Sequence, residues 1–292
     1  MGYARPYHLT AAAALLLGAC VAAPGPAYSE PPPSYAAVAG KVTGSPAIVD
    51  LGVTRASVLE SERTGPLPPG IARVYVEADV NSLIRGSGGL PPHIRFLADV
   101  PLDSRGRAPR LKGGRYFAFG RITGNGELQL AGSDSLLAYG PQTDALVRQI
   151  TREAVAIDAP PAITGVTSAV HVPGNIPGEG ETQIFLSTAE QRPIAISVLS
   201  RPGQERRWSV SLTEIVDEAA AAPRRDSLLW YRLACGGLPA RLPDAALSGG
   251  DPVNDSRARE DYQYVRRSVG PCEGNKPLSD APYIMGTQPR TP

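Results

Sequence analysis

The sequence predicts an α+β protein rich in strands, with antiparallel sheets built as meanders and one or two amphipathic helices. Three observations lead there. Gly and Pro number 31 and 30 of 292 residues, about a fifth of the chain, a load that demands many turns and argues against long helical bundles. Several stretches alternate apolar and polar residues with the period of two that a half-buried strand needs. The hydrophobic share of 42% is enough to fill a core and excludes wholesale disorder.

Residues 1–19 read as an export leader. Arg5 precedes the apolar run Leu9 to Leu17, which ends in Gly18-Ala19. This is the charged, apolar and small-residue pattern of a secretory signal, and its apolar part is shorter than the roughly 20 residues of a spanning helix. The junction Leu17-Gly18-Ala19-Cys20 resembles the lipobox of bacterial envelope lipoproteins. The resemblance covers the leader alone and transfers an address, not an activity. It implies cleavage before Cys20, lipidation of the Cys20 sulfur, and a mature chain of 273 residues held to the membrane by its N-terminal lipid. With Val21 rather than Asp after the cysteine, it also implies the periplasm-facing side of the outer membrane. Ordinary signal-peptidase cleavage after Ala22 or Ala23 is the alternative, and it would discard Cys20.

Residues 20–46, centred on Pro31-Pro32-Pro33, read as a Pro-rich tether biased toward extended polyproline II. The next block, 47–158, is predicted to be β-rich and to end in a helix. Ile71 to Asp79 alternates, His93 to Ala98 follows Pro91-Pro92, and Arg115 to Thr123 is joined to Glu127 to Ala131 through Gly124-Asn125-Gly126. Asn-Gly is a strong hairpin signal. Taken as a two-residue turn, it places Phe117 and Phe119 on one face with Leu128 and Leu130. From Gln142 to Asp158, Leu146, Val147, Ile150, Ala154 and Ile157 recur at helical spacing, and packing on the sheet is favoured over contact with lipid.

The block 159–238 is predicted to be an antiparallel meander with a short helix. Ile163 to Val172, Glu181 to Thr188, Ile194 to Arg201 and Arg207 to Leu212 are its strands, with Arg201-Pro202-Gly203-Gln204 fitting a type II turn. Thr213 to Ala222 fits strand or helix. Asp226 is the expected N-cap of a helix through Leu233. Residues 239–292 read as an irregular tail, with one short helical pattern at Asp255 to Ser268.

Composition narrows the function more than motifs do. Lys and Arg number 29 against 28 Asp and Glu, so the basic excess that drives phosphate binding is missing and nucleic acid is not an expected partner. If Cys20 is acylated or removed, Cys235 and Cys272 are left, and in an oxidising compartment one disulfide is the simplest expectation. The sequence has no G-x-S-x-G, S-x-x-K, H-E-x-x-H or G-x-G-x-x-G pattern, so no catalytic residue, metal site or cofactor is expected. His171, Asn175, Glu179 and Glu181 fall within eleven residues on a strand end and the loop after it. They form the expected ligand-contact surface, because contacts concentrate on loops held by rigid strands. The functional expectation is a non-enzymatic binding or assembly protein of the envelope, with another envelope protein as partner. The alternative is an envelope hydrolase with a non-contiguous active site.

Overall fold

In the computed structural model, which describes residues 1–2, 33–60, 65–212, 220–248 and 250–272, the first strand is buried on both sides over its first half. The chain divides into two units, Met1–Pro31 and Pro32–Pro292, and every element below belongs to the second. On β1 (Ala47–Val58), Val49, Leu51 and Val53 pack into one cluster and Ile48 into another. A strand covered on both faces loses its alternation, which is why this run carries no strand signal in the sequence.

Around it lie β2 (Ile71–Arg85), β3 (His93–Pro101), β4 (Arg115–Ile122), β5 (Leu128–Leu130) and β6 (Leu136–Ala138). The sheet order is β3-β2-β1-β4-β5, with β6 also beside β4, and every pairing is antiparallel. The β1–β2 register shifts at three points, and such irregularities bend and twist a sheet. The sheet curls until it is nearly a closed barrel, and Leu51, Val74, Val76, Phe96 and Ala118 fill its interior. β3 and β5 are left facing each other across a cleft.

The β4–β5 hairpin differs from the expected one by a single residue. Thr123 N–H donates to the Glu127 carbonyl at 2.8 Å, so the loop is the three residues Gly124-Asn125-Gly126, with Gly126 at φ +75°. This is the arrangement of a type I turn followed by a left-handed residue. One added residue flips every side chain of the returning strand. Leu128 and Leu130 therefore lie opposite Ile122 and Gly120 and join the barrel interior, while Phe117 and Phe119 belong to the second core outside it. The hairpin closes tightly at Gly120, where a Cβ would stand 2.0 Å from the Gln129 carbonyl oxygen.

That outer core begins with a helix where a tether was expected. Tyr35–Thr43 is α1, capped by the Ser34 side chain, with Ala36, Val38, Ala39 and Val42 buried. Its Ala and Val content satisfies a helix whose stability comes from packing rather than from length. Beside it is α2 (Pro141–Val155), on which Val147 and Ile150 are buried as the periodicity predicts. The helix stops three residues before Asp158, and the chain leaves through a turn closed by Ala159 N–H on the Ala156 carbonyl. Ile157, expected in the core, is 99% exposed.

The second sheet is the predicted meander, in the order β10-β9-β8-β7, formed by β7 (Ile163–Pro173), β8 (Gly180–Thr188), β9 (Ile194–Ser200) and β10 (Arg207–Ser211). Gly203 at φ +72° sits where the type II turn requires it. Ser227 rather than Asp226 caps the short α3 (Leu228–Arg232). The helical pattern expected at Asp255 to Ser268 is an 18-residue helix, α4 (Pro252–Val269), longer than expected in a tail read as otherwise irregular; it is capped by Asp251, with Ala258, Tyr262 and Val265 in the core. Tyr262 donates its hydroxyl to the Pro239 carbonyl at 2.6 Å, and burial pushes that hydroxyl up to about 12. Ile48, Phe117 and Ile150 share one core with Ile184, Ile194 and Tyr262, so the apolar interior runs across residue 159. Residues 213–219, most of the stretch read as strand or helix, residues 273–292 and the lipobox with Cys20 lie outside the described residues.

A buried carboxylate links the barrel to α2. Asp50, 1% exposed on β1, accepts from Arg115 Nε at 2.9 Å and Nη2 at 2.7 Å, and from Asn81 Nδ2 at 3.0 Å. Arg148 of α2 stands 3.9 Å away and donates to Asp144 at 2.8 Å, and the Arg115 guanidinium lies 3.7 Å from the Tyr139 ring centroid. Burial alone would raise the Asp50 carboxyl, but the hydrogen bonds from Arg115 and Asn81 and the two guanidinium charges outweigh it and hold it below 3.8.

Candidate functional site

The four residues of the expected ligand surface are separated by strand parity. His171 on β7 faces Thr182 across the β7–β8 pairing, and Glu181 is opposite Val172. The imidazole thus points toward α4. Glu181 occupies the other face of the sheet, accepting from Ser197 Oγ at 2.7 Å and Gln183 Nε2 at 3.1 Å. Glu179 closes the loop through its carbonyl, which accepts from Gly174 N–H at 2.9 Å, and Asn175 is exposed on that loop. The structure does not gather these residues into one site.

What it gathers around His171 is a buried polar chain. Thr182, fully buried, donates its hydroxyl to Asp261 of α4 in a short hydrogen bond. The Thr182 oxygen is then left to accept from His171 Nδ1 at 2.8 Å, which fixes the proton on Nδ1. Asp261 is completed by Arg206 Nη1 at 2.9 Å. Gly180 makes room for the ring, since a Cβ there would stand 2.7 Å from His171 Cε1. Neither Asp261 nor Thr182 belongs to a recognisable motif. Both are legible as polar interruptions of apolar patterns, Asp261 beside Ala258, Tyr262 and Val265 on α4, and Thr182 in line with Ile184 and Leu186 on β8.

This chain anchors α4 and offers no nucleophile, because Thr182 is sealed from solvent and its proton is committed to Asp261. Burial holds the His171 imidazole below the ordinary value of 6.5, Asp261 opposes that shift, and Arg257 and Arg206 reinforce it. The folded protein therefore binds a proton at 171 less readily than the unfolded chain does. The resulting stability is present above 6.5 and is lost as pH falls toward the lower folded value. Thermal melts between about pH 8 and pH 5 should show this decline, and His171→Gln should flatten it. An unchanged profile in that variant would show that other groups set the slope.

The second location is the cleft of ≈ 1020 Å³ between β3 and β5. Among the described residues β3 pairs only with β2, and β5 only with β4, so each presents one free edge. Ile94, Phe96 and Leu128 reach the cleft from the barrel interior, and Leu97 stands exposed on its wall. Arg73 and Asp99 mark one end with paired hydrogen bonds of 2.6 and 2.8 Å. His93 lies toward the other end, with Nδ1 2.6 Å from Asp79 Oδ1. Six residues separate His93 from Asp99, about 20 Å of strand. Alternation marks β3 as a strand, but a local pattern carries no information on whether its outer edge is paired.

Cys235 and Cys272 form a disulfide with Cα atoms 4.9 Å apart. It ties the chain just beyond α4 to the turn after α3. Among the described residues there is no cluster of three or more His, Cys, Asp or Glu able to hold a metal, and no helix long and apolar enough to cross a membrane. The class these features define is a strand-rich α+β protein with a nearly closed barrel and a disulfide-tied helical cover. No protein-family model matches the sequence, and no curated protein matches it either.

Proposed function

We propose that this chain is an exported lipoprotein, anchored through Cys20, whose body binds an extended segment of another envelope protein along the cleft between β3 and β5. The cleft carries this reading. It has the unpaired outer edge of β3, an apolar floor and a length matching about six extended residues, which is what strand addition uses, with backbone hydrogen bonds for affinity and side-chain pockets for selectivity. The Cys235–Cys272 pair supports an oxidising compartment, and the lipobox supports the periplasm-facing outer membrane. The test is photo-crosslinking from Leu97 in the anchored, full-length protein. One stoichiometric adduct from position 97 is expected, absent from Val172 on β7 and lost when the floor is altered by Phe96→Ala in a chain that still folds.

A second reading, an envelope hydrolase, is favoured by the His93–Asp79 pair at the cleft, since a histidine oriented by a carboxylate suits a general base. Hydrolytic turnover abolished by His93→Ala, with no adduct from position 97, would replace binding by catalysis.

A further inference from the structure

The end of the body where α1 begins also carries Ile157, the most exposed large apolar side chain among the described residues of the folded part. Tyr35, first residue of α1, donates its hydroxyl to Glu153 of α2 at 2.7 Å. Two residues past Glu153 comes Val155, 60% exposed, and then Ile157, 99% exposed. Isolated exposed apolar residues are ordinary. Here two of them stand within three residues, in the run Ala154-Val155-Ala156-Ile157, beside the point where the chain leading back to Cys20 enters the fold.

We propose that Val155 and Ile157 are a membrane-surface contact that seats the body on the bilayer carrying its lipid. The inference rests on the lipid anchor at Cys20. Fifteen residues separate Cys20 from Tyr35, so the start of α1 is confined within about 50 Å of the anchored residue. Confinement of that kind makes bilayer contact an intramolecular event, and a small apolar contact is then populated that would be too weak from solution. Apolar side chains at such a contact settle at the boundary between headgroups and acyl chains. The surrounding charges are mixed in sign. Arg152 and Asp158 are close in sequence, and Arg192, which donates to the Ala159 carbonyl at 3.0 Å, neighbours Glu190, whose carboxylate accepts from Ala162 N–H at 3.1 Å. The contact is therefore apolar in origin and should not need anionic lipid.

The experiment uses the full-length protein with Ile157→Trp, purified from membranes and reconstituted into phosphatidylethanolamine and phosphatidylglycerol vesicles with and without brominated acyl chains. Wild type, with Trp208 and Trp230, gives the background. The emission added by the new indole should fall about twofold with brominated lipid, as expected for a side chain at the acyl boundary, and should do so equally in vesicles of phosphatidylcholine alone. Leu97→Trp and Ile176→Trp, exposed positions on other elements, should be unaffected. The mass of the mature chain reads the anchor separately. An acylated chain with no quenching at 157, or with equal quenching at 97 or 176, overturns the contact and leaves the anchor standing. A mature chain without the acyl mass overturns both.

Discussion

Arg115→Met should destabilise the fold markedly, because it takes the main partner from a carboxylate that is itself sealed from water. The reason is asymmetric exposure. Arg115 is 45% exposed and can turn to water, but Asp50 is 1% exposed and cannot. Without Arg115 the carboxylate keeps Asn81 and a guanidinium 3.9 Å away, which is poor compensation for its lost hydration. Asp50→Asn should cost less, because the amide keeps the shape and the stranded Arg115 is half in solvent. Urea unfolding of both variants and of the double variant measures the coupling. The pH dependence gives a second readout. Asp50 has a folded value below 3.8, so its contribution is complete above that value and disappears as pH falls through the folded one. Removing Arg115 should reduce acid sensitivity as well as stability. Equal losses for Arg115→Met and Asp50→Asn, with no change in acid sensitivity, would show that packing around Tyr139 matters and the charge does not.

Removing the disulfide is the other large effect. The Cys235–Cys272 separation is 37 residues, and in the chain-entropy account a loop of that length is worth about 4 kcal/mol. Cys235→Ser with Cys272→Ser should lower stability by that order. The loss should be felt first at the end of α4, where Trp230 Nε1 donates to the Val269 carbonyl at 2.9 Å. Trp230 is buried, so a red shift in emission on reduction, ahead of global unfolding, is the expected signature. Reduction that changes neither the emission nor the unfolding midpoint would show that packing alone holds α4.

The fold class and most strands were legible because alternation and turn chemistry are local. The meander β7 to β10 and the helical core positions Val147 and Ile150 follow from periodicity alone. What escaped was decided by tertiary cover. The first half of β1 does not alternate because both its faces are buried there. α1 looked like linker because Ala, Gly and Val near a Pro-rich stretch carry no strong helical signal until packing supplies one. The β4–β5 faces turned on whether Gly124 belongs to the loop, a one-residue question with an all-or-none answer. For the candidate site, proximity in sequence misled, since residues 171 and 181 lie on opposite sides of one sheet. The partner of Thr182 came from a helix 79 residues away, a distance no local pattern spans.

Tension applied upstream of Tyr35 enters this protein through its interior. α1 is not a peripheral handle, for Val38, Ala39 and Val42 are sealed against the same apolar floor as Ile48 and Phe117. A pull from the amino end must extract that helix whole before anything else yields. The body should then fail abruptly, as a plug drawn from a socket, rather than unzip strand by strand.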